Sequence, residues 1–192
     1  MLALSRPYPA RYQVPVLRAV DPAIFTMRYF TDCLGCGFCH DWCCQFGVDA
    51  DRWHVDQILA HAAALEQFTG TPRDRWFTTR VDPDPDAPGG SMWRTAVVDG
   101  RCVFLNRAGR GCQLHRFCLE QGIDPHDLKP LVDGLFPLTY EGDVLCAADE
   151  VLDGDLVCLD TGPTLYRGVR DSLRYYFGDD LVTELDGIEA GR

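Results

Sequence analysis

Apolar positions recur at helical spacing in two places along the chain. Val55, Ile58, Leu59, Ala62 and Leu65 fall at three- and four-residue steps, with Asp49 or Asp51 placed to cap the start and Gly70 placed to end the run. Leu165, Val169, Leu173 and Tyr176 or Phe177 form a second stripe over 163–177, stopped by Gly178, and this is the last strong element in the pattern. A third helix is expected over 113–121, closed by Gly122. Asp124 before Pro125 has the N-cap and first-turn chemistry of a short fourth one, which Pro130 limits.

Strand patterning is shorter and bounded by turns. TAVVDGRCVFL reads as a hairpin around Asp99-Gly100, and LFPLTYEGDVLCAAD as a second one turning near Glu141-Gly142. Residues 1–30 carry Pro7, Tyr8, Pro9, Tyr12 and Pro15, which favours an extended arm over a helix. The segment VDPDPDAPGG, 81–90, is expected to be a surface loop that no regular element crosses. A few helices with short hairpins, their irregular loops organised by metal, define a small α+β fold, and 1–192 is read as one domain.

Composition changes the picture in two ways. Eighteen Lys and Arg against twenty-nine Asp and Glu give a net charge of −11, which repels phosphate backbones and anionic membrane surfaces and argues against general nucleic-acid binding. The opening residues lack a cationic start followed by an apolar run, and no stretch approaches the roughly 18 to 20 apolar residues of a spanning helix, so a cytoplasmic protein without membrane attachment is expected.

Ten cysteines are the second feature. In a reducing compartment, metal ligation explains such a number better than disulfides do, and five of the ten crowd into CLGCGFCHDWCC. Cys33, Cys36, Cys39 and Cys43 stand at gaps that let successive sulfurs turn inward, and Cys44 is adjacent. The first four match a bacterial ferredoxin run, without its following Pro and without a second copy. Zinc competes for the same thiolates, because four of them, or three with an imidazole, close a tetrahedral shell. An iron–sulfur cluster and zinc both remain open as cofactors.

Cys102 and Cys112 flank the Gly-rich NRAGRGC loop and can converge, while His115 and Cys118 are three residues apart on one helix face. Cys118 reads equally well as a core residue. Cys146, beside a turn, is a further candidate metal ligand, and Cys158, next to the acidic turn LDGD, is left open as ligand or core residue. His40 lies between candidate ligands, where a supporting hydrogen-bond role is as good a reading as ligation. His54, His61 and His126 are expected to face solvent or a first helical turn.

CLGCGFCHDWCC, then CVFLNRAGRGCQLH, then KPLVDGLFPL form three ordered blocks that resemble the YkgJ-like, CxxCxxCC cysteine-cluster family, described as zinc- or iron-chelating domains. The resemblance spans about 32–146. It implies that Cys33, Cys36, Cys39, Cys43, Cys44, Cys102 and Cys112 are metal ligands, and that Lys129-Pro130 and Phe136-Pro137 frame a position usually held by cysteine. Here that position is Asp133, so either its carboxylate ligates, His115 or Cys118 substitutes, or one site is altered. Three roles follow: a metal-binding protein with a structural, electron-transfer or metal-handling centre, a metalloenzyme with an open coordination position, or a zinc-stapled module for a protein partner.

Overall fold

Residues 1–191 are described by the computed structural model, in which the chain divides into two compact units. One unit joins Met1–Thr31 to the chain from Leu135 onward, and the other is Asp32–Gly134. Helices and several short sheets alternate in both, an α+β fold.

The amino-terminal residues are strands. β1 (Leu2–Pro9) and β2 (Val16–Val20) pair antiparallel, and β3 (Arg28–Tyr29) follows a short 3-10 turn capped by Asp21. The prolines that disfavour a helix there are compatible with strand ends, Pro9 closing β1.

The second unit begins with the cysteine run, which holds no regular element beyond the 3-10 turn Trp42–Gln45. β4 (Asp49–Asp51) then leads directly into α1 (Arg52–Ala60), followed by α2 (Ala62–Thr69). The expected single helix is thus divided at His61, whose backbone leaves the helical region (φ −94°, ψ 11°) while its ring packs edge-on against Phe117. β5 (Phe77–Pro83), β6 (Ser91–Thr95) and β4 form an antiparallel sheet in the order β4-β6-β5. The expected loop at 81–90 is therefore shorter: β5 runs through Val81 and Asp82 to Pro83, which is tolerated because it ends an edge strand. β7 (Val97–Val98) and β8 (Arg101–Cys102) form the expected hairpin, with Asp99 and Gly100 both at positive φ. α3 (Gln113–Gln121) ends at left-handed Gly122, and α4 (Leu131–Leu135) follows the Asp124-capped turn. Ile58, Leu65, Trp76, Phe104, Leu114, Phe117 and Leu128 make one buried cluster between these elements.

Asp51 fixes where the site-bearing segments lie. Its carboxylate caps α1 through the His54 N–H (3.0 Å), takes the His54 Nδ1 (2.6 Å) and accepts the Leu131 N–H (3.1 Å). His54 Nε2 meanwhile faces the His126 carbonyl at 3.1 Å. His54, expected to face solvent, is fully buried, because both ring nitrogens have partners that its helix position alone does not reveal. The pair tethers the 126–133 segment, which carries Lys129 and Asp133, to the start of α1. Asp51→Ala removes a buried side chain that makes three hydrogen bonds and is expected to cost about 2 kcal/mol or more, read as a lowered urea midpoint at unchanged m-value.

The first unit resumes with β9 (Leu138–Glu141) and β10 (Val144–Ala147), the second expected hairpin, giving a mixed sheet ordered β1-β2-β10-β9 in which β2 and β10 run parallel. α5 (Asp149–Leu152) precedes β11 (Leu159–Thr164), which pairs with β3. The expected terminal helix is split into α6 (Leu165–Gly168) and α7 (Arg170–Phe177), and Gly178 stops it as expected. An unexpected α8 (Asp179–Glu189) follows at once and buries Leu181, Val182 and Leu185. Asp186 on α8 accepts from Arg170 and from the Tyr166 hydroxyl, and those bonds hold its carboxyl down at about 2.

Candidate metal centre

The cysteine run is a succession of tight turns. Asp32 Oδ1 accepts the Gly35 N–H (3.1 Å), the Cys33 carbonyl accepts from Cys36 (3.4 Å) and the Cys39 carbonyl from Trp42 (3.1 Å). His40 and Asp41 both sit in the left-handed region (φ 51° and 57°), a conformation costly for residues with a Cβ and better tolerated by Asp than by most. With Trp42 these two residues make up the stretch that separates Cys39 from the double cysteine, and their consecutive left-handed backbone reverses the chain within it.

That turn is held from the opposite loop. Asp41 is buried, accepts the Gly111 N–H (3.2 Å) and lies 3.3 Å from the Arg110 guanidinium, whose Nη2 donates to Cys39 Sγ at 3.2 Å. Gly111 itself is at φ +75°, a conformation that favours glycine, while the only side chain a Cβ there would meet closely is the mobile end of exposed Leu34. The NRAGRGC loop is thereby locked onto the cysteine run by an ion pair and by backbone geometry together.

Cys36 and Cys39 are both buried, with their sulfurs within 4.8 Å of one another, and the Cys39 N–H donates to Cys36 Sγ (3.4 Å). Burial raises the Cys36 thiol, but the hydrogen bonds from Cys39 and from the Phe38 and Cys39 backbone, with the Arg110 charge, outweigh it and hold the group below its ordinary value. Cys39 moves the other way, raised by burial and by its bond to Cys36. One thiolate is thus favoured within the pair. Two sulfurs on one tetrahedral ion at 2.3 Å stand about 3.8 Å apart, so the pair needs only a small adjustment to share a metal.

Cys43 and Cys44 present sulfurs 4.0 Å apart, a comparable spacing. Hydrogen bonding to Cys43 and then burial push Cys44 far up. Cys33 is exposed as a residue, yet crowding around its sulfur, followed by the charge of Cys43, pushes the thiol up to about 12. Burial also raises Cys102, whose sulfur lies 3.5 Å from Thr95 Oγ1, and takes Cys112 to about 12. Cys44 and Cys112 pack against the same apolar cluster that contains Cys102.

Asp133 is half-buried, with Lys129 Nζ 3.3 Å from its Oδ2. Burial opposes the Lys129 charge, but Asp133, Cys112 and Cys33, in that order, outweigh it and keep the ammonium protonated. The Asp133 charge is felt by Cys33, Cys44, Cys102 and Cys112 alike, each raised by it. His115 is half-buried on α3 and is lowered by burial and then by Lys129. Cys118 is fully buried in the apolar cluster with Leu114 and Phe117, its thiol raised to about 11 chiefly by burial. Among the described residues, none of Cys33, Cys43, Cys44, Cys102, Cys112, His115, Cys118 and Asp133 belongs to a set of three ligand atoms within 4.8 Å of one another. Cys146 belongs to the first unit, buried on β10 opposite Thr139 and raised to about 11 by burial. Exposed His40 makes no supporting contact to a cysteine among the described hydrogen bonds.

The residues missed from sequence are Arg110 and Asp41. The signal lay in their positions, one two residues before Cys112 and the other inside the cysteine run, but their pairing is long-range. All ten cysteines are unbridged, and the clustered thiols can hold a metal ion. Among the described residues no helix is long and apolar enough to cross a membrane. No protein-family model matches the chain, and no solved structure matches it.

Proposed function

We propose that this protein is a metal-binding protein of the YkgJ-like kind whose thiolates hold zinc or an iron–sulfur cluster, with the Cys36–Cys39 pair as the seed of the centre. The observation that carries this reading is the pair itself: two buried sulfurs at metal-sharing distance, one favoured as thiolate, with N–H donors from Cys39 and Arg110 aimed at them. Such donors are what outer-shell groups supply to metal thiolates, where they orient the ligand and offset its charge. Cys33, Cys43, Cys44, Cys102 and Cys112 are the further thiol ligands in this reading, with Asp133 standing where the family has cysteine. Bound zinc would supply a structural cross-link, and a bound cluster would in addition supply an electron site.

A second reading, a metalloenzyme with an open coordination position, is favoured by the Lys129–Asp133 pair, a carboxylate and a protonated amine beside several thiols. Metal analysis of anaerobically purified protein, with its visible spectrum before and after reduction, tests the proposal. Zinc without colour, or iron with absorption that bleaches on reduction, is the expected result, and no bound metal in either state would end it.

Arg110→Ala removes the donor to Cys39 and the partner of Asp41 together. It is expected to weaken metal affinity by about 10- to 100-fold, the usual effect of losing an outer-shell partner. Competition with a coloured chelator reads this directly, and Arg110→Lys should recover only part of the loss because it lacks the planar fork.

A further inference from the structure

The second unit carries a cleft of about 450 Å³ on the face of α2 and α3 that holds none of the candidate ligands. Its volume lies in the range of small-molecule sites. Phe68, Val103 and Leu105 give it an apolar wall, and Arg107 and Arg116 border it with guanidinium groups. In a chain of net charge −11 two arginines at one cleft bring positive charge to it, each with a carboxylate on its outer side, Asp99 at 3.9 Å from Arg107 and Glu120 at 2.8 Å from Arg116. Arg107 donates through Nη2 to the Val98 carbonyl, while Arg116 donates through Nε to Glu120 with its guanidinium over the Phe68 ring at 5.6 Å. A guanidinium has five N–H donors, so both retain donors for a ligand after these bonds.

Gln113, at the start of α3, supplies the second observation. Its Oε1 is buried with no hydrogen-bond partner, although its backbone N–H is bonded to the Phe104 carbonyl at 2.7 Å. A buried acceptor left without a donor is costly, and such atoms are uncommon in folded proteins. We propose that this cleft binds a small organic anion: its acid group sits between Arg107 and Arg116, its N–H or O–H donor meets Gln113 Oε1, and its apolar body lies against Phe68, Val103 and Leu105.

The test is an amide ¹H–¹⁵N titration of the full chain with 4-aminobenzoate, which carries an acid, a plane and a donor, alongside benzoate, which lacks the donor, and aniline, which lacks the acid. Metal content is measured in every sample, so that a change at the cysteines is told apart from one at the cleft. 4-Aminobenzoate is expected to shift amides within 68–71, 103–108 and 113–116 with a dissociation constant on the order of 1 mM, the scale for a fragment of this size. Benzoate should bind more weakly, and aniline should leave those amides unmoved. Arg107→Ala and Arg116→Ala should each weaken 4-aminobenzoate by about tenfold or more, the effect of losing a charged hydrogen bond. Gln113→Leu, similar in volume, should erase the difference between 4-aminobenzoate and benzoate. If an alanine variant loses the native spectrum, Arg107→Gln and Arg116→Gln replace it with the same expectation. Absence of shifts with 4-aminobenzoate, shifts that survive both arginine replacements, or aniline binding as well as the acid would each overturn the proposal.

Discussion

Replacing Cys36 and Cys39 together by serine is expected to abolish metal binding at the centre they seed, a loss larger than any other pair of substitutions in the chain should cause. The serine hydroxyl is nearly isosteric with the thiol but does not ionise at neutral pH, so ligation is lost while packing is little changed. Both sulfurs are buried and both receive hydrogen bonds, so the substitution acts on a site whose surroundings are already built. The double replacement of Cys118 and Cys146 is the matched control. Cys118 lies inside the apolar cluster and Cys146 on β10, so their loss should lower stability by a core-substitution amount while leaving metal per chain unchanged. Metal stoichiometry measured on both variants decides the matter. Unchanged metal content in the Cys36/Cys39 variant would remove the argument's core, and an equal loss in the control would show that metal content follows fold stability.

Much of the local structure was legible because local chemistry decides it. The Asp99-Gly100 turn needs two residues that accept positive φ, and the chain supplies them between two β-branched or aromatic runs. Asp51 was recognisable as a cap because capping acts over three residues. What sequence spacing does not carry is the partner at long range. His54 looks like a helix-flank histidine until the His126 carbonyl and the second bond to Asp51 are seen, and both depend on the 126–131 segment returning to α1. β5 through Val81, Asp82 and Pro83 was obscured by residues that disfavour strands, and pairing with β6 overrides that preference. α8 was missed because its buried positions, Leu181, Val182 and Leu185, are few and its surface is acidic.

The same reasoning applies to the site. Density of cysteines located the run, since thiols in a tight loop have few other uses, and the block CVFLNRAGRGC located the loop that meets it. Spacing alone did not reveal that Arg110 and Asp41 join the two, nor that His40 and Asp41 turn the chain through the left-handed region. These are consequences of tertiary placement: a guanidinium that reaches both a carboxylate and a sulfur defines a geometry only once both loops are folded.

Removal of the metal is expected to loosen the second unit unevenly. Segment 33–47 and the 106–112 part of the second cysteine segment contain little regular structure, only the 3-10 turn Trp42–Gln45 and an isolated bridge between Leu105 and Cys112, so few backbone bonds hold them without ligands, whereas Cys102–Leu105 belong to the apolar cluster. α1 and α3 are different, because they pack on the cluster of Ile58, Leu65, Trp76, Phe104, Leu114 and Phe117. Thiolate-held structural zinc contributes about 10 to 16 kcal/mol in zinc-finger peptides, as large as the roughly 5 to 15 kcal/mol net stability of a whole domain. A metal drawing on both segments also closes the long chain loop between Cys44 and Cys102, an ordering that packing alone would have to offset. Acid works in the same direction as a chelator, since each thiol must lose a proton to bind, and thiols raised to about 12 at Cys33 and Cys112 give protons a strong claim on those positions. In a chelator-treated sample shown by analysis to hold no metal, amide hydrogen exchange should therefore accelerate by orders of magnitude at 33–47 and 106–112 while α1, α3 and the clustered 102–105 retain most of their protection. Protection unchanged at the two cysteine segments would show that the Arg110–Asp41 clamp and the apolar cluster hold the site by themselves.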